Sequence, residues 1–132
     1  MAKYFEWNAS YNLGVQAMDD EHRVIIEAMN QLHELHEAKA LGPRLLKVMQ
    51  QLVQVTRSHF ADEEAYMDKM GYPDLHKHRH MHAHLLERLG QFEAEMRSSG
   101  VATDDLFTFL KMWLKAHICG IDTQYVKFSK VA

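Results

Sequence analysis

The sequence predicts an all-α protein, an up-down-up-down four-helix bundle with an irregular N-terminal arm, and three observations carry that prediction. Proline and glycine are few and fall at clean breaks, Gly42-Pro43, Gly71-Tyr72-Pro73 and Ser98-Ser99-Gly100. Between the breaks apolar residues recur at intervals of three and four, as in Leu45, Val48, Leu52 and Val55, the period of amphipathic helices. The three connections are short, which forces neighbouring helices to run antiparallel.

Residues 1–18 form the arm, and helices are expected over 19–38, 43–70, 74–97 and 103–127, all within a single domain spanning residues 1–132. The first helix turns His22 inward with Ile25, Ile26 and Met29. His33 and His36 share its inner face but lie about 16 Å or more from His22, near the negative helix end. The second opens on Pro43, which suits a first turn, and its stripe of Leu45, Val48, Leu52, Val55, Tyr66 and Met70 also carries His59 and Glu63. An ionisable pair therefore points into the core.

The third helix, with Asp74 at its start, holds His76, His78, His80, His82 and His84. At about 100° per residue, His78 and His82 align with Leu75, Leu85, Leu89, Phe92 and Met96. His76, His80 and His84 point the other way with Glu87 and Gln91 and read as a solvated face, a weak second metal site or docking surface being the alternative. The fourth helix has Thr103 as its cap, Asp104 and Asp105 near its positive end, and His117 in line with Leu106, Leu110, Trp113 and Ile121.

Composition narrows the function classes. Fifteen basic and eighteen acidic residues leave a net charge of -3 and a pI near 6.3, which offers no basic field for nucleic acid. Cys119 is the one cysteine, so no intrachain disulfide forms and a reducing, cytoplasmic setting is expected. No apolar run reaches the length of a signal peptide or membrane span, so membrane insertion is not expected.

The inward histidines agree in height. His22 follows the start of the first helix, His59 and Glu63 precede the end of the second, His78 and His82 follow the start of the third, and His117 and Asp122 lie near the end of the fourth. In an alternating bundle all seven fall at the end closed by Gly71-Tyr72-Pro73. Burying five imidazoles and two carboxylates without a cation would cost several kcal/mol in desolvation and unmet hydrogen bonds. Seven ligands exceed the needs of one ion, and nitrogen with carboxylate and no thiolate favours iron or manganese over structural zinc. Two ions are expected, with a solvent-derived bridge and about one coordination position left open.

The run His59-Phe60-x-x-Glu63-Glu64, then Tyr72-Pro73, His78-x-x-x-His82 and finally His117 with Asp122 five residues on, resembles the signature of the hemerythrin family over nearly the whole chain. The arm from Phe5-Glu6-Trp7 to Met18-Asp19-x-x-His22 is similar to that of bacterial single-domain members. Met18 and Glu21 stand where isoleucine and glutamine are expected in many of them, and neither departure is expected to touch a ligand.

The resemblance implies that His78, His82 and His117 hold one iron, that His22 and His59 hold the other, and that Glu63 and Asp122 bridge them beside an oxo or hydroxo bridge. It further implies reversible O2 binding at the iron with fewer protein ligands, both irons cycling between Fe2+ and Fe3+, in an apolar pocket of Leu114 with Phe60 and Trp113 nearby. Glu-x-x-His motifs of ferritin-type oxidases are absent from the sequence, which favours a carrier, store or delivery protein over an enzyme. A monomer that supplies an oxygen-consuming oxidase or reductase is expected; a sensor acting through a partner, or a diiron peroxidase or nitric-oxide reductase, are the alternatives. Asp122 would point about 140° away from His117 in a regular helix, so a wide turn or π-bulge is expected near Gly120.

Overall fold

The computed structural model describes residues 4–7, 11, 13–117 and 127. Four helices follow in order, α1 (Gln16–Glu37), α2 (Pro43–Met70), α3 (Leu75–Ser99) and α4 (Asp104–Lys115), with no strand among the described residues. The Gly42 amide donates to the Gly100 carbonyl at 3.0 Å, so the first and third connections meet at one end of the bundle. The Gly71 turn, the start of α1 and the last described turns of α4 consequently lie at the other end. A contact of 3.1 Å between His36 at the close of α1 and Asp104 at the opening of α4 confirms that these two helices are antiparallel.

Each boundary has a local cause. Pro43 opens α2, where a missing amide hydrogen costs nothing. Gly71 closes it at φ +71°, a left-handed backbone that glycine adopts without a Cβ clash, and the Tyr72 amide then reaches the Met67 carbonyl at 3.0 Å. Gly100 ends α3 in the same way at φ +75°, two residues beyond the expected stop. The Thr103 side chain accepts the Leu106 amide at the head of α4.

α1 starts three residues earlier than expected. Asp19 lies inside its first turns, and its carboxylate reaches back to the Leu13 and Gly14 amides at 2.8 and 3.2 Å. The arm is tied at a second point, where Asn30 accepts the Phe5 amide at 2.9 Å and donates to the Phe5 carbonyl at 2.8 Å. Phe5 and Leu13 are thereby buried in the same core as Met29, Leu32, Leu45, Leu52, Leu106 and Leu110.

The buried face of α2 runs through Leu45, Met49, Leu52, Thr56, His59, Glu63 and Met67, with Val48, Val55 and Tyr66 at its margins. That face packs against both α1 and α3. His59 and Glu63 therefore enter the centre of the bundle. No helix among the described residues is long and apolar enough to cross a membrane.

Candidate metal centre

Glu63 is fully buried, and its two oxygens face different groups of imidazoles. Oε1 lies 3.2 Å from His78 Nε2, 3.0 Å from His82 Nε2 and 3.4 Å from His117 Nε2. Oε2 lies 3.3 Å from His59 Nε2 and 3.8 Å from His22 Nε2. Within each group one ligand atom per residue can be chosen so that all lie within 4.8 Å of one another: Glu63, His78, His82 and His117 on one side, His22, His59 and Glu63 on the other. Six of the seven residues expected at the site thus come together, all buried. Asp122, the seventh, lies outside the described residues, as does Ile121.

The five imidazoles arrive from four helices because α1 and α3 present their opening turns where α2 and α4 present their closing ones. On α3 the pair at spacing four points inward, while His76, His80 and His84 are exposed. At Ala116 and His117 the α4 backbone widens into a π-type turn. Such a turn changes the angle between His117 and whatever follows, which is the kind of adjustment a ligand five residues on would require.

Two carboxylates outside the cluster hold ligand rings by their far nitrogens. Glu21 Oε1 is 2.7 Å from His59 Nδ1, and Glu64 Oε2 is 2.9 Å from His82 Nδ1. A hydrogen kept on Nδ1 leaves the Nε2 lone pair aimed at the Glu63 side, the arrangement metal-ligating histidines favour. Glu64 is steadied by Arg79 at 3.3 Å. Glu21 was not expected to touch a ligand, and the geometry corrects this, since its helix turns it toward the back of His59. The signal available in the sequence was adjacency: Glu21 precedes His22 and Glu64 follows Glu63.

Charges are strongly redistributed here. Burial would raise the Glu63 carboxyl, but hydrogen bonds with His117, His59, His78 and His82 hold it well below the usual carboxylate range. Burial lowers His59 too, yet hydrogen bonds to Glu21 and Glu63 outweigh it and bring the imidazole to about 9. His22, pushed down by burial and by the nearby His59 charge, falls to about 3, and burial takes His117 to about 4. An imidazolium at His59 and the neutral His22 and His117 therefore stand around one carboxylate. A donor set of neutral or displaceable nitrogens around a buried anion is chemically suited to cations such as Fe2+, which take imidazole and carboxylate together.

Aromatic side chains shield the three-histidine side. Phe60 stacks on His82 with centroids 3.8 Å apart and planes 1° from parallel, and Trp113 lies 5.9 Å from His117. Leu114, three residues before His117, is buried. His33 and His36 stay at the opposite end, where His33 stacks on Tyr4 at 4.2 Å.

Glu21 is the basis of a direct test. Glu21→Ala is expected to weaken metal affinity by about 10–100-fold, the usual range for loss of a partner that orients a ligand histidine. Competition against a chelator measures this, and wild-type affinity in the variant would show that the Glu21–His59 contact has no bearing on binding.

The comparisons with known proteins agree with this geometry. The family model described as the hemerythrin HHE cation binding domain matches residues 13–128. Bacteriohemerythrin of Stenotrophomonas maltophilia is 34% identical over 122 residues, covering 90% of this chain and 77% of that protein. Bacteriohemerythrin of Pseudomonas aeruginosa is 32% identical over 120 residues, with coverage of 91% and 78%. Myohemerythrin of Riftia pachyptila is 30% identical over 122 residues, with coverage of 92% and 90%. A crystal structure of wild-type hemerythrin superposes with a TM-score of 0.81 at 27% identity, covering 94% of this chain and 96% of that one.

Proposed function

The chain belongs to the hemerythrin family, and from that premise we propose that it binds O2 reversibly at two iron ions, as an oxygen carrier, store or delivery protein rather than as an enzyme. The observation that carries this reading is the division of the cluster, three imidazoles on one Glu63 oxygen and two on the other. His78, His82 and His117 would hold one ion, His22 and His59 the second, and Glu63 would join the two. Asp122 as a second bridge, and a solvent-derived oxo or hydroxo bridge, rest on the family resemblance. Bound iron supplies the electrons that O2 takes up on binding.

An ion on the side with fewer imidazoles would be the one to keep a position open for a small ligand. Among the described residues, the acids other than Glu63 that touch the cluster histidines, Glu21 and Glu64, do so at Nδ1, on the ring edge away from the Nε2 atoms. Neither is placed to deliver a proton to a molecule on the Nε2 side, which favours carriage over turnover. Leu114 would line the pocket with Phe60, whose ring lies 5.9 Å from His59 as well as against His82, while Trp113 beside His117 would close it from the three-imidazole side, together excluding the water that assists loss of bound oxygen in a reduced form. The match over residues 13–128 supports reading the whole chain as one such domain. A monomer in a reducing cytoplasm, passing O2 to an oxidase or reductase, fits the single cysteine and modest negative charge.

Cycling the iron-loaded protein between oxygen and argon tests the reading. A visible charge-transfer band that appears and vanishes over repeated cycles is expected; irreversible oxidation in the first cycle would overturn it. Leu114→Ala is expected to speed autoxidation several-fold by opening the pocket to water, and an unchanged rate would remove Leu114 from it.

A further inference from the structure

The cluster ligands are almost inaccessible, His22, His59, His78, His82 and His117 being at most 2% exposed, so an ion that reaches them needs a way in. A groove of about 430 Å³ runs between α3 and α4, with Met81, Leu85 and Trp113 along its walls. The buried His117 forms part of it, and so do the exposed His80 and His84. These two exposed imidazoles stand one helical turn apart, the spacing at which two rings can hold a single cation.

We propose that His80 and His84 form a second, transient site for divalent cations, at the mouth of this groove, from which iron is passed to the buried cluster. The proposal rests on the diiron reading for its purpose, but the site itself does not depend on it. The nearby guanidinium groups are engaged elsewhere: Arg79 pairs with Glu64 at 3.3 Å, and Arg88 hydrogen-bonds Gln91 at 3.1 Å while lying over the Phe92 ring at 4.6 Å. The pair is therefore not flanked by free guanidinium groups competing with an ion. Two imidazoles hold an ion weakly enough to release it, the groove of about 430 Å³ has room for the ion to keep its water on the way to His117, and among the described lining residues the one other donor atom is the Met81 sulfur, a soft ligand that suits Fe2+ poorly. His76 completes the exposed row but is not part of the groove, which singles out the 80/84 pair over the 76/80 pair.

A second cleft, of about 200 Å³, reaches His59 beside Glu21 and Asp62 and is the competing route. The test uses Ni2+ as a probe, since imidazole sites hold it more tightly than Fe2+. Calorimetric titration of the iron-loaded wild type should show one Ni2+ per chain beyond the two irons. His84→Ala should weaken that binding at least about tenfold, the loss of one of two ligands, and His76→Ala should leave it unchanged.

Loading the metal-free full-length chain with Fe2+ should be slowed several-fold in His84→Ala, with two irons still bound at the end and oxygen binding intact. That unchanged endpoint separates a failure of this inference from a failure of the diiron reading. Wild-type Ni2+ binding in His84→Ala, its loss in His76→Ala, an unaltered Fe2+ uptake rate in His84→Ala, or slowed uptake in Asp62→Asn instead would each overturn the proposal.

Discussion

Glu63→Gln is expected to yield a folded chain that retains fewer than one iron where the parent retains two. Glutamine keeps the shape of the side chain, so the surrounding packing of α2 is undisturbed. It removes the only charge that balances two cations within the described cluster, since every other ligand there is an imidazole. It also turns one of the two oxygens into an NH2 group. That group would face either the three imidazoles now 3.0–3.4 Å from Oε1 or the two at 3.3 and 3.8 Å from Oε2. A hydrogen donor there occupies the nitrogen lone pairs that an ion would use. A buried cation deprived of its anionic partner loses the interaction that offset its desolvation, so neither half of the site is spared. Iron analysis after anaerobic loading and desalting, with circular dichroism to verify the helices, measures the effect. Two retained irons in a folded Glu63→Gln would show that the carboxylate is not the link between the two groups.

The metal-free chain should be most stable near pH 6.5 and lose stability on both sides. His22 and His117 fall to about 3 and about 4 in the folded state, so below their ordinary value of 6.5 the unfolded chain takes up protons that the folded chain refuses. Stability is lost as pH drops from 6.5 toward those values, and Glu63, held low by its imidazoles, adds to the loss once acid begins to protonate it. His59 acts in the opposite sense. Its folded value of about 9 means that its contribution is complete below 6.5 and disappears as pH rises through 9. As an iron ligand His59 would give up its proton, so the loaded protein should hold an even stability between pH 6.5 and 9 and release protons as it loads. Urea midpoints of both forms at a series of pH values check this. A metal-free chain whose stability rises steadily from pH 5 to 9 would contradict the assignment of charge within the cluster.

Much of this arrangement is legible in the sequence because the bundle is regular where the site is built. The rotation of about 100° per residue separates His78 and His82 from His76, His80 and His84 on one helix, and the structure buries the first pair and exposes the other three. Pro43 and Gly71 mark α2 to the residue, since each acts through its own backbone restriction. Legibility ends where a side chain acts across helices. Asp19 looks like a helix start but reaches back to the arm, so α1 begins earlier than the pattern suggests. Glu21 points to His59 on α2, a contact of 38 residues' separation that no periodicity on α1 reveals. The widened turn at Ala116 and His117 likewise breaks the regular rotation that links position to face, and the expected bulge at Gly120 lies outside the described residues.

X-ray absorption at the iron edge tests the central claim most directly. Two irons sharing five imidazoles should give an average of about 2.5 imidazole nitrogens per iron, as the donor set of the two groups requires, together with scattering from a second iron close by. One iron per chain, or two without an iron neighbour, would contradict a centre joined through Glu63.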